Sequence, residues 1–122
     1  MALSDFVRKG GIALIDNEDR WVNFCKAILG HEYVTQFNEP NRPLYASIKK
    51  HGFDLIIASN LYWSNKSLTE AIQSSGIPSA VFVDNPNRHN RLLAYRLGYS
   101  IYDTKRYDDS LLKTVEKLLQ GK

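Results

Sequence analysis

Three short, unbroken apolar runs set the rhythm of the chain: Ile12-Ala13-Leu14-Ile15, Leu55-Ile56-Ile57-Ala58 and Ala80-Val81-Phe82-Val83. Each is too short for a buried helix, rich in β-branched residues, and preceded by glycine at Gly10-Gly11, His51-Gly52 and Gly76-Ile77-Pro78. Strands that are apolar on both faces belong inside a parallel sheet covered by helices above and below. A weaker alternation through Tyr33, Thr35 and Phe37 predicts an outer strand over residues 31–37, and Ser100-Ile101-Tyr102-Asp103 a last one.

Between the strands the apolar spacing lengthens to three and four residues, the period of an amphipathic helix. Trp21, Val22, Phe24, Cys25, Ile28 and Leu29 predict a helix stopped by Gly30, with Asn17 as its cap and Glu18 and Asp19 in its first turn. A second helix starts at Asn41-Arg42-Pro43, turns Leu44, Tyr45 and Ile48 inward, and ends in Lys49-Lys50-His51-Gly52. A loop over residues 61–66 leads to a short helix over 67–75, held by Leu68, Ala71 and Ile72. Further helices are expected over about 87–97, stopped by Gly98, and over about 108–120. Strands alternating with helices predict one doubly wound α/β domain over residues 11–122, helices on both faces, behind an N-terminal arm of residues 1–10.

Composition narrows the picture only modestly. The 122 residues suffice for a single core, and 43% hydrophobic with 24% charged content is ordinary for a soluble globular chain. The lone Cys25 excludes an internal disulfide or a multi-cysteine metal site and suits a reducing compartment. No apolar run approaches the roughly 18 residues of a membrane span, and no secretory leader opens the chain, so a cytoplasmic location is expected. A net charge of +3 reads as a solvated surface and makes nucleic acid an unlikely partner.

Candidate chemistry gathers where the strands end, at the carboxyl edge of the sheet, because open α/β folds place their sites there. The strands deliver Asp16-Asn17-Glu18-Asp19, Ser59 and Asp84 to that edge. Ser59 lacks a nucleophile elbow, so it is expected to satisfy the sheet edge with its hydroxyl rather than act as a nucleophile. His31, His51 and His89 fall on separate helix ends or loops and do not cluster as ligands. No catalytic set, metal set or cofactor motif emerges.

From about Ile12 to Leu119 the chain resembles the receiver domains of two-component response regulators. Ile15-Asp16-Asn17-Glu18 stands where that family has its acidic pair. Asp54-Leu55-Ile56-Ile57-Ala58-Ser59 matches the strand carrying the phosphoacceptor. Gly98, Tyr102 and Thr104-Lys105 match the helix-ending glycine, the switch aromatic and the conserved lysine. The resemblance implies a flavodoxin-like (CheY-like) fold, α/β, with a five-stranded parallel sheet in the order 2-1-3-4-5.

The departures from the family are concentrated in one pocket. A working receiver phosphorylates an aspartate with the help of Mg²⁺ held by oxygen ligands. Here the acceptor position is Ser59, the second acidic position is Asn17, and the hydroxyl that would read the phosphoryl group is replaced by Val83. Asp16, Asn17, Ser59, Val83, Asp84, Tyr102 and Lys105 therefore form a degenerate pocket, with Lys105 expected to pair with Asp16. Tyr62 and Trp63, on the loop after the central strand, are either a binding feature or a cover for the pocket.

These features imply a phosphorylation-independent pseudo-receiver, not an enzyme, that works by protein–protein contact in signalling or transcriptional control. The expected interaction face is Arg88, Arg91, Leu92 and Tyr95 with Tyr102, opposite a core side of Leu93, Ala94 and Leu97. It could also serve a homodimer. Two alternatives stay open: a small-ligand or anion sensor using Lys105, Ser59 and Asn17, and a nucleic-acid-associated regulator using Arg88 and Lys49-Lys50.

Overall fold

In the computed structural model, residues 3–59, 62–84 and 87–121 are described. Five strands, β1 (Ile12–Ile15), β2 (Val34–Phe37), β3 (Leu55–Ser59), β4 (Ser79–Val83) and β5 (Ile101–Thr104), alternate with five helices. The helices are α1 (Asp19–Leu29), α2 (Arg42–Lys49), α3 (Lys66–Ser75), α4 (Arg88–Arg96) and α5 (Ser110–Gln120). All strand pairs are parallel, in the order β2-β1-β3-β4-β5. This is the flavodoxin-like, CheY-like architecture.

The pleat of the inner strands divides the core in two. Ile12, Leu14, Leu55, Ile57, Ala80 and Phe82 face Trp21, Val22, Cys25 and Leu29 of α1 and Leu111, Val115 and Leu119 of α5. Ala13, Ile15, Ile56, Ala58, Val81 and Val83 face α2, α3 and α4 through Leu44, Ile48, Leu68, Ile72 and Ala94. Successive residues of a strand point to opposite faces, so a run of consecutive apolar residues fills both halves at once.

Asparagine sets three helix starts. Asn41, Asn65 and Asn87 accept the amides of Leu44, Leu68 and Asn90 at 3.0, 3.0 and 2.8 Å, each satisfying one donor that the first turn leaves free. Asn17, expected to cap α1, does not: Glu18 occupies the cap position and makes no side-chain cap bond. The cause is Asp16, whose carboxylate accepts the Glu18 amide at 2.8 Å and delays the helix by one residue. The start of α5 is likewise later than expected, because the Asp108 carboxylate holds the Ser110 amide at 2.9 Å in a turn.

The outer strand is also shorter than its alternation suggested. Gly30 at φ 99° turns the chain into a 3-10 helix over His31–Tyr33, and β2 begins only at Val34. The last strand is shifted by one residue, since Ser100 bends while its amide reaches Ser79.

Residues before β1 pack onto the domain. Leu3 is buried beneath α1 and α5, and Phe6 and Val7 lie against the same cluster. Buried Asp54 accepts the amides of Arg8, Lys9 and Gly11 at 3.2, 3.0 and 3.1 Å. At Gly10 a β-carbon would lie 2.0 Å from the Gly52 carbonyl oxygen, so only glycine permits this approach.

Candidate functional site

The parallel register brings the ends of β1, β3, β4 and β5 to one level. Ile15 is paired with Ala58, Ser59 with Phe82, and Val83 with Thr104. Asp16, Ser59, Val83, Asp84 and Lys105 therefore share the carboxyl edge of the sheet. The Lys105 amide donates to the Val83 carbonyl at 2.9 Å, which extends the β4–β5 ladder by one bond and fixes the root of the lysine.

Lys105 then reaches across the edge. Its Nζ lies 3.0 Å from Asp16 Oδ2, as the sequence led us to expect, and 2.8 Å from Glu18 Oε2, which it did not. The Lys105 and Asp16 side chains are each only 2% exposed, whereas Glu18 is 42% exposed. Burial alone pulls the Lys105 ammonium down, but bonds to Glu18 and Asp16 outweigh it and hold the group above its ordinary range. The same bond to Lys105 holds the Glu18 carboxyl below the ordinary range.

An aromatic cluster walls this ion triad. Lys105 Nζ stands 5.8 Å from the Trp21 ring centroid, and Tyr107 meets both Trp21 and Phe24 edge-on, at 5.5 and 5.1 Å. The Arg20 guanidinium lies over Tyr107 at 4.3 Å, and the Tyr107 hydroxyl donates to Glu18 at 3.4 Å. The sequence marks Glu18 only as one of the acidic residues at that edge, and does not mark Arg20, Trp21 or Tyr107 as site residues. The available signal was Trp21 and Phe24 three residues apart on α1, with Tyr107 two residues after Lys105.

Ser59 departs from expectation. It is 2% exposed, and among the described residues its hydroxyl has no hydrogen-bond partner. The backbone carbonyl of Ser59, rather than its side chain, serves the sheet edge by accepting the amides of Tyr62 and Trp63 at 3.1 and 2.8 Å. Asn17 points to the loop instead of α1 and donates to the Tyr62 hydroxyl at 3.4 Å. Val83 is buried and Asp84 is exposed.

Trp63 is a cover and not an exposed binding feature. It is buried, its carbonyl accepts the hydroxyls of Thr69 and Tyr99, and its ring meets Tyr102 edge-on at 5.5 Å. Tyr102 links this interior to α4, because Arg91 lies 5.9 Å over its ring and donates to its carbonyl at 3.3 Å. Arg88, Arg91, Leu92 and Tyr95 all lie on the exposed side of α4, while Leu93, Ala94 and Leu97 pack on the core.

Arg88 and Lys49-Lys50 do not form one patch. Helices return from the carboxyl edge, so Arg88 opens α4 at one end of the molecule and Lys49 and Lys50 close α2 at the other.

A Mg²⁺ of the kind receivers use does not fit these side chains. Among the described residues no group of three or more His, Cys, Asp or Glu is placed to hold a metal ion. Asp16 and Glu18, the two nearest carboxylates, already share the Lys105 ammonium between them. Also among the described residues, no helix is long and apolar enough to cross a membrane.

No family model matches the sequence, and no curated protein matches it. Solved structures do, among them several response regulators and a signal receiver domain. An orphan response regulator of H. pylori is similar over 92% of this chain and 99% of its own, at 21% identity and a TM-score of 0.73. The signal receiver domain of a protein assigned as a LuxO repressor in Vibrio parahaemolyticus gives 93% and 92% coverage, 15% identity and a TM-score of 0.73. A response regulator from Burkholderia multivorans follows at 93% and 96% coverage, 16% identity and a TM-score of 0.69. At these identities the likeness establishes the CheY-like fold.

Proposed function

We propose that the chain is a pseudo-receiver: a non-catalytic signalling domain that works by protein–protein contact and takes no phosphoryl group. The observation that carries this reading is the Lys105 ammonium held between Asp16 and Glu18. In a phosphorylatable pocket that lysine would have to meet a phosphoryl group and the carboxylates a cation. Here the lysine is already paired with both carboxylates, and the acceptor position is a buried serine, which has no carboxylate to form an acyl phosphate. The pocket's lysine and carboxylates thus pair with one another without a ligand. Surface contact through α4 is the remaining route by which the domain would act, in signalling or transcriptional control inside the cell.

The test is a titration with Mg²⁺ followed by backbone amide spectra. Absence of saturable shifts at Asp16, Glu18 and Lys105 up to millimolar Mg²⁺ is expected. Saturable binding centred on those residues would overturn the reading.

The Ser59 hydroxyl, which has no hydrogen-bond partner among the described residues, favours a second reading, in which the pocket holds a small ligand. Under that reading Ser59→Ala abolishes the domain's output. Under the first reading the output survives.

A further inference from the structure

Helix α2 ends differently from its neighbours. Helices α3 and α4 close on glycines in the left-handed region, Gly76 at φ 72° and Gly98 at φ 85°, because glycine takes that backbone without steric cost. The turn after α2 carries His51 at φ 56°, and among the described residues no other non-glycine residue has a positive φ. The turn is well formed: the His51 amide donates to the Ile48 carbonyl at 3.0 Å and the Gly52 amide to the Ser47 carbonyl at 2.7 Å. Glycine would serve this backbone better, so a side chain held there at a cost points to a use for that side chain.

His51 lines two cavities at once. One is a cleft of about 490 Å³ at the amino edge of the sheet, where Arg8 and Lys9 meet the Asp54 carboxylate, so its charges are mixed. The other is a groove of about 350 Å³ between α2 and α3, lined by Tyr45, Ile48, Lys49, His51, Ala71 and Ser74. Ile48 is a buried core residue and Ala71 packs on the same cluster, which gives the groove an apolar body. Its volume suits a small molecule, since ligand pockets begin at about 300 Å³ and a cavity of about 150 Å³ already holds benzene. No Asp or Glu lines it. Among the described residues neither Lys49 nor His51 has a side-chain hydrogen bond or an ion pair. An imidazole donates an N–H in either protonation state, so Lys49 and His51 both offer donors to an anion.

We infer that this groove binds a small apolar-bodied carboxylate, its ring or chain on Ile48 and Ala71 and its charged group on Lys49 and His51. The site goes beyond the reading of the Lys105 pocket and stands or falls separately from it, because α2 and α3 end at the opposite edge of the sheet. A cationic ligand fits worse, since it would meet Lys49 and no carboxylate. A phosphate dianion fits worse too, because Lys49 supplies a single fixed charge.

The experiment follows backbone amide spectra of the intact chain during titration with benzoate, hydrocinnamate and octanoate at neutral pH. Hydrocinnamyl alcohol and phenyl phosphate probe the charge requirement. At least one carboxylate should shift Ile48, Lys49, His51, Ala71 and Ser74 saturably, with a dissociation constant of about 1 mM or below. The alcohol should bind about tenfold or more weakly than hydrocinnamate. Two variants, each checked for an intact fold by circular dichroism, test the residues. His51→Gly relieves the left-handed backbone while removing the imidazole, and Ser74→Phe fills the groove from an exposed helix position. Each should weaken the best carboxylate by about fivefold or more. Shifts that never saturate, shifts centred away from the groove, or an affinity indifferent to either variant would overturn the inference. So would equal affinity for the alcohol, or phenyl phosphate binding more tightly than every carboxylate.

Discussion

Lys105 and Glu18, 87 residues apart in sequence, are joined by a 2.8 Å bond that closes the pocket at the carboxyl edge of the sheet. The pair completes a triad with Asp16, and Lys105 is its only cation. Replacing Lys105 by alanine leaves a buried Asp16 carboxylate with the Glu18 amide but without its cation. We expect Lys105→Ala to cost roughly 1–3 kcal/mol, read as a lower denaturant midpoint at unchanged slope. Restoring most of that loss with Asp16→Asn in the same chain would show that the stranded charge is the cause. An unchanged midpoint in the single variant would contradict the triad as a structural element.

The triad also sets a pH window. Glu18 titrates lower in the folded chain than its ordinary 4.5, so it contributes stability above that value and loses it as pH falls through the depressed value. Lys105 titrates higher than its ordinary 10.5, so its contribution holds below that value and is lost as pH rises through the raised one. Stability from the triad should therefore be flat between these limits and decline outside them. Glu18→Gln should flatten the acid limb of a plot of denaturant midpoint against pH. An acid limb identical to wild type would assign the decline to other carboxylates.

Ser59 yields a prediction of opposite sign. Among the described residues its buried hydroxyl has no partner; such a group loses its hydration and gains no bond in return, so removing it is not penalised as a satisfied one would be. Ser59→Ala is expected to hold the thermal midpoint or raise stability by up to about 1 kcal/mol. A clear loss of stability would reveal a partner for the hydroxyl.

Asp54 should prove to be the clasp of the arm. Its carboxylate collects three backbone amides from residues 8, 9 and 11. Asp54→Ala is expected to cost roughly 2–3 kcal/mol and to speed amide exchange at Arg8, Lys9 and Gly11 above that of the sheet. Unchanged protection at those amides would show that Leu3, Phe6 and Val7 hold the arm by packing alone.

The sheet was legible in the sequence because its inner strands are apolar on both faces and glycine precedes each of them. Strand identity at Leu55 and Val81 follows from local composition, and the helices between follow from spacing. The Lys105–Asp16 pair was legible through the resemblance, since both residues match positions of the receiver pocket. Glu18 was harder to read. Its role depends on Asp16 capturing its amide and pushing it to the cap position, a local competition that composition does not reveal. The burial of Trp63 and the clasp at Asp54 depend on distant segments: Tyr99 and Tyr102 for the first, residues 8–11 for the second. A side chain whose partners lie 30 or more residues away leaves no periodic trace.

The most direct test of the pseudo-receiver reading is the intact mass of the chain after incubation with a small phosphodonor and Mg²⁺. With Ser59 buried and Lys105 committed to Asp16 and Glu18, the mass is expected to stay that of the unmodified chain. A stoichiometric gain of one phosphoryl group, mapped to a residue at the carboxyl edge of the sheet, would contradict the account.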